Sequence, residues 1–409
     1  MSGHRAWREA AIAAVALPIA IALAVMAFAW PAGRISPRDV PVGIVGTGPA
    51  GQHAVEALTR QQPGAFDFRL YPDQQAARSA IRSREVYGAF AVSGNGVTVL
   101  EATAASPSVA QLLTDVGQKL ADKATQQKVA EQKAAQQKAA ERKAAERKSG
   151  SAHSPAKVHQ QAGDGQGAAG ADSPAQIVAK SVDVVPVAPD DPRGAVFSSS
   201  VFPLTICGIL IGAFVTMARG LARPRHRVLT LLVSCGVAAL GVYLVAQGFL
   251  GALPHHHVAT WAVLTLDLLS VSATAAGVIR LLGPAGLGLS AALMVFVGNA
   301  FSGATSAPEL LPEGADRVGQ WLPPGAGAGL LRDTTYFDGH AGTGHLTVLA
   351  LWTVCGLTAV MCGHWVIRES RGTRAGTPAS GELLPALPGA GSGPAVRHHA
   401  HARRHDGED

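Results

Sequence analysis

Long apolar runs without charge alternate with polar stretches along this chain, and the runs are far longer than a buried strand needs. Residues 10–30, 195–218, 228–253, 284–306 and 346–367 hold no Asp, Glu, Lys or Arg, and 258–279 holds one, Asp267. A helix crossing a bilayer needs about 20 mostly apolar residues. The pattern therefore predicts six transmembrane helices. The first run also resembles a cleavable leader, since Arg5 and Arg8 precede it and Ala27-Phe28-Ala29 has the form of a cleavage site. Its apolar stretch exceeds the roughly 7–15 residues usual for a signal core, which favours a retained helix.

Between the first two runs the pattern changes. Short apolar segments at 41–46, 66–71, 87–92 and 96–101 read as strands, with helices near 50–61 and 73–84. The fold class is an α-helical polytopic membrane protein, six transmembrane helices with a small α/β domain at 31–125 between helices 1 and 2. Residues 126–150 repeat every five positions, with Lys128, Lys133, Lys138, Lys143 and Lys148 in register. Five residues advance about 500° around a helix, so the lysines spiral and leave no seam for a coiled coil. Such a sequence reads as a helical spacer, with contact to an anionic envelope polymer as its functional alternative. Residues 151–194 read as a linker and re-entry segment, and 368–409 as a disordered tail.

Arginine placement sets the orientation. Arg5 and Arg8 precede the first run, and Arg219, Arg223, Arg225 and Arg227 lie between the second and third. Arg280 separates the fourth and fifth, and Arg368, Arg371 and Arg374 follow the sixth. Between the fifth and sixth, Arg317 and Arg332 are outnumbered by Glu309, Glu313, Asp316, Asp333 and Asp338. Both termini are expected in the cytoplasm, with 31–194 and 307–345 outside a plasma membrane and lipid around the helices. Composition agrees: of 409 residues 48% are hydrophobic and only 15% charged. The net charge of +6 falls at helix ends rather than in a basic stripe, which argues against nucleic acid.

Gly46, Gly48 and Gly51 form a G-x-G-x-x-G, with Asp73 where a ribose-binding acid would stand. The α/β pattern stops too soon for a doubly wound dinucleotide fold, and diffusible nicotinamide and flavin nucleotides are not normally available outside the membrane. The expected role is a tight strand–helix turn, with no cofactor. The chain also has no P-loop, nucleophile elbow or H-E-x-x-H, so it is not expected to be an enzyme. Cys207, Cys235, Cys355 and Cys362 all lie in apolar runs and read as small buried residues. His255, His256 and His257, and four tail histidines, show no ligand spacing, so no metal is expected.

An acid inside a span needs a cavity or a partner. Asp267 is therefore the candidate polar point of a pathway, with Ser270, Ser272, Asn299 or His364 as possible partners. Gly208 and Gly212 form a G-x-x-x-G that would allow close helix approach. Pro308, Pro312, Pro323 and Pro324 are expected to break helix, and 310–322 suits a short interfacial helix. Trp321 and Tyr336 fit headgroup-level anchors.

Topology and several stretches resemble the membrane subunit of type-two ABC exporters, the phage-infection-protein-like group especially. They are "PVGIVG" (41–46), "ARSAIRSREVYGAFAV" (77–92), "VAPDDPRG" (187–194), "GNAFSGATSAPELLP" (298–312) and "LPPGAGAGLLRDTTYFDG" (322–339). The resemblance implies a permease that dimerises and works with a separate cytoplasmic ATPase to export a substrate. It implies an outer gate containing Leu311, Pro312, Trp321, Pro323, Pro324, Arg332 and Tyr336, and ATPase contacts near Arg5, Arg8, Arg219, Arg223, Arg225 and Arg227. The alternative is a non-transporting scaffold or receptor that displays the outer domain.

Overall fold

The computed structural model describes residues 14, 18, 19, 21–46, 52, 55, 56, 58–60, 62–93, 96–150, 178–191, 194–218, 220, 221, 223–252 and 256–375, with side chains given up to 145 in the first long helix and 363 in the last. Arg5, Arg8, Arg219, His255 and the tail histidines lie outside the described residues.

After the apolar helix α1 (Ile21–Ala32) the chain builds an α/β module. It comprises β1 (Val40–Val45), β2 (Phe66–Tyr71), α2 (Gln74–Arg82), β3 (Gly88–Ser93), β4 (Gly96–Glu101), α3 (Pro107–Gly150) and β5 (Ala179–Asp183). The sheet order is β2-β1-β3-β4-β5. β1 runs parallel to β2 and β3, β3 and β4 are antiparallel, and β5 adds parallel to β4. Central position explains the composition of β3, where Gly88–Ala91 are all buried. A side chain at Gly88 would strike the Leu100 carbonyl and Leu113 of α3, so only glycine lets α3 lie against the sheet.

Val109, Leu113, Val116 and Ala121 of α3 enter the sheet core. From residue 126 nearly every described side chain of α3 is exposed, so burial stops where the five-residue repeat begins. β5 has no counterpart among the strands read from sequence. Its residues, AKSVD, show little hydrophobic alternation, and the strand is held by its edge pairing from Val97↔Ala179 to Glu101↔Asp183.

The rest is helical: α4 (Ala195–Met217), α5 (Pro224–Phe249), α6 (His257–Leu282), α7 (Ala285–Asn299), α8 (Ala315–Gln320), α9 (Pro323–Tyr336) and α10 (Gly342–Ala375). Among the described residues four helices are long and apolar enough to cross a membrane: α4, α5, α6 and the Gly342–Gly363 part of α10. α1 and α7 are apolar but shorter. α6 is the hub, buried without a break from Leu268 to Gly277. The Gly208–Gly212 pair is where α4 meets it: a Cβ at Gly208 would lie 2.9 Å from Val271, and one at Gly212 would strike the Ser272 carbonyl. Ser272 Oγ donates to the Gly208 carbonyl at 2.8 Å across the same contact. On the other side Gly277 faces Gly356 and Ala359 of α10, a small-residue contact the sequence reading missed.

Three expectations change. The uncharged run 284–306 is not one straight span. α7 loosens into π-type turns over Ala292–Asn299 and stops, and the chain turns at Gly303 with φ +65°. Ser302 accepts the local competition for backbone groups, donating to the Asn299 carbonyl at 2.8 Å. Pro323 and Pro324 do not break α9 but start it, at positions whose N–H groups need no helical partner. Of the four cysteines only Cys235 is buried; Cys207, Cys355 and Cys362 face outward from their helices. An apolar run does not say which side of its helix meets the bundle.

Candidate functional site

The α/β module does not hang free. Its core takes in Ala307, Leu310 and Phe337 from the segment after α7. Backbone bonds run from Ser36 N to the Leu310 carbonyl and from Arg38 N to the Glu309 carbonyl, both at 3.1 Å. Arg38 Nη1 donates to the Leu311 carbonyl at 2.6 Å, and Ser106 Oγ to the Ser306 carbonyl at 2.8 Å. The segment 304–345 is thus shared between module and helices.

A charged cluster sits in this junction. Arg84, in the turn after α2 with φ +57°, reaches Asp333 on α9, which is fully buried. His345 Nδ1 lies 3.0 Å from the other oxygen of Asp333. Burial opposes the Arg84 charge most strongly, but Asp333, Tyr87 and Glu309 together offset it and raise the guanidinium pKa above its ordinary value. Tyr87 Oη donates to Glu309 Oε2 at 2.7 Å, and burial first, then the Glu309 charge, raises the Tyr87 pKa.

Next to Asp333, Arg332 is only 5% exposed. Its Nη2 donates to the Ala304 carbonyl at 3.0 Å and its guanidinium stacks over Phe197, 4.7 Å from the ring centre. No carboxylate pairs with it among the described residues. Burial, then the like charge of Arg84, lowers its pKa to about 10, so it is still a cation at neutral pH. A cavity of about 260 Å³ opens among these groups, with Arg84, Tyr87, Glu309, Arg332 and His345 in its lining.

The other gate candidates divide. Leu311, Pro312, Pro323 and Pro324 are buried. Tyr336 turns inward, its Oη donating to the Ala252 carbonyl at 2.8 Å, and burial raises its pKa to about 12. Trp321 is 65% exposed, and its carbonyl accepts from Trp352 Nε1 at 2.8 Å. Trp321, Leu322, Leu351, Trp352 and Cys355 line an apolar groove.

Asp267 lies on α6 facing α9. A side chain at Gly327 would collide with its carboxylate, so glycine is what permits the approach. Asp267 Oδ1 is buried without a hydrogen-bond partner. The candidate partners point elsewhere: Ser270 Oγ donates to the Asp267 backbone carbonyl at 2.7 Å, and Ser272 serves Gly208. Asn299 accepts from Thr205 at 3.4 Å and donates to the Met294 carbonyl at 3.3 Å. The His364 side chain lies outside those described. Among the arginines between α4 and α5, Arg227 is spent on the loop itself, donating to the Leu221 and Thr216 carbonyls at 2.6 and 2.9 Å. Arg223 and Arg225 are exposed.

Asp73 also has a local task. Its Oδ1 accepts from Ala76 N at 2.7 Å as the N-cap of α2. Gly46 turns with φ +125°, while Gly48 and Gly51 lie outside the described residues.

In sequence comparison, residues 10–311 match the model of the family described as ABC-2 family transporter protein. The chain belongs to that family. This ABC-2 family member is a multi-pass membrane protein and a permease-type transport component. The match ends at Leu311, so α8, α9 and α10, with Arg332, Asp333 and His345, lie beyond it. No curated protein and no solved structure matches the ABC-2 chain. Sequence reasoning missed Arg84, Tyr87, Glu309, Asp333 and His345 as one group. They are scattered over more than 250 positions, and Arg84 and Asp333 each look like ordinary surface charges in isolation.

Proposed function

We propose that this chain is the permease subunit of an ABC exporter, dimerising and moving an unidentified substrate outward while a separate cytoplasmic ATPase supplies energy. The family match over 10–311 carries the reading. In it, α1 and α7 complete six spans with the four long helices, both termini are cytoplasmic, and the α/β module is extracytoplasmic. The excess of arginine near residues 5, 8, 219–227, 280 and 368–374 over the opposite loops supports that orientation.

The geometry adds how an outer gate would be built. α9 lies between the module, through Arg84–Asp333, and the bundle, through Gly327 against Asp267. One rigid element therefore touches both the outer domain and the intramembrane carboxylate, with Asp267 as the polar point of the pathway. Exposed Arg223 and Arg225 fit the ATPase contact, and the array 126–150 remains a spacer or a polymer contact.

The test is co-purification of the tagged chain from its native membrane with a cytoplasmic ATP-binding subunit. Association that is lost in an Arg223→Glu/Arg225→Glu double variant, with membrane insertion intact, is the expected result. A chain that purifies alone under conditions preserving other exporters, and whose deletion alters export of no compound, would instead support a displayed scaffold.

A further inference from the structure

The junction cavity has two unlike poles, and neither is used up by the contacts already described. Arg332 is buried, charged and without a carboxylate, yet only one of its nitrogens has a described hydrogen bond. A guanidinium has five N–H donors, arranged to hold an oxyanion through two of them. Burying such a charge is costly unless it is paired or hydrogen-bonded. Glu309 is the second pole. Tyr87 engages its Oε2, and Oε1 has no described partner in the same lining. Asp333 is turned toward Arg84 and His345, one on each oxygen, and forms no ion pair with Arg332 among the described residues. Glu85 also lines the cavity, but its carboxylate accepts from Ser83 Oγ at 3.1 Å on the exposed side.

A bare anion would meet repulsion from Glu309, and a bare cation repulsion from Arg332. We propose that the cavity binds a small zwitterionic group, an amino-phosphate or amino-carboxylate, with its oxyanion on Arg332 and its ammonium on Glu309. At about 260 Å³ the space suits a headgroup or free metabolite of that kind rather than a drug-sized molecule. The site is formed by this chain alone and does not depend on the transport reading.

The experiment titrates O-phosphoethanolamine and glycine into the purified full-length chain in neutral detergent, by calorimetry. A parallel arm measures retention of phosphatidylethanolamine against phosphatidylglycerol in nanodiscs by native mass spectrometry. Saturable binding of either soluble probe identifies a free solute, and selective retention of phosphatidylethanolamine alone identifies a lipid headgroup; both support the proposal. Arg332→Gln and Glu309→Gln should each weaken binding about tenfold or more. Glu309→Gln keeps a partner for Tyr87, so it reports on charge even if Arg332→Gln folds poorly. Inorganic phosphate binding as well as O-phosphoethanolamine, with Glu309→Gln tightening it, would overturn the two-pole assignment. So would the absence of binding in both arms.

Discussion

Asp333 shows how much a single residue can carry in this fold. It is fully buried and accepts from both Arg84 and His345. Removing its charge leaves the largely buried Arg84 cation without its counter-charge, and breaking such a pair costs about 3–5 kcal/mol. Asp333→Asn is expected to lower unfolding stability by that order in detergent denaturation, and to expose Arg84 in the module to proteolysis. Unchanged stability would show that the pair is dispensable. The tyrosines give a pH signature. Tyr87 and Tyr336 both have raised pKa values, Tyr336 near 12, so their neutral hydroxyls contribute stability below the ordinary phenol pKa. That contribution is lost as pH rises toward the folded values. Phenolate absorbance should therefore appear late in the native protein, and alkaline unfolding should accompany it.

At the scale of elements, the decisive contacts are made by absent side chains. Gly212 lets α4 touch the α6 backbone, and Gly327 lets α9 close over Asp267. Overpacking a tight contact costs about 1–3 kcal/mol. Gly212→Val should destabilise the bundle by that amount, read as a lowered thermal midpoint. Gly327→Val should move α9 away from α6, with a smaller effect on overall stability than on export. Equal loss of both would mean that α9 is only scaffolding. The G-x-x-x-G at 208–212 was legible because its spacing is local to one helix. Gly327 was not, because its partner is an acid 60 positions earlier whose direction the sequence does not give. The prolines at 323–324 misled for a related reason: proline breaks a helix or begins one according to where the preceding residues stop.

For the whole molecule, the module and the bundle are joined by the segment 304–345 and by no long interface elsewhere in the described sheet core. The repeat lies outside this arrangement. Described side chains at 131–145 are exposed, so excising that stretch should change stability by no more than about 0.5 kcal/mol, measured by denaturant unfolding. A larger loss would show that the array packs on a partner.

The sequence by itself determined four apolar helices long enough to cross a membrane and the strands β1 to β4, because bilayer thickness and strand alternation impose local periods that can be counted, while the likeness to an ABC-2 permease rested on stretches such as 298–312. It also placed arginines at the helix ends, where charge is easily solvated. Only the tertiary structure decided that α7 stops at Asn299, that β5 closes the sheet edge, and that Arg84, Glu309, Arg332, Asp333 and His345 gather around one cavity. Those outcomes depend on which distant groups must share a buried space, and the energy of burying charge is settled between partners rather than within any one stretch of chain.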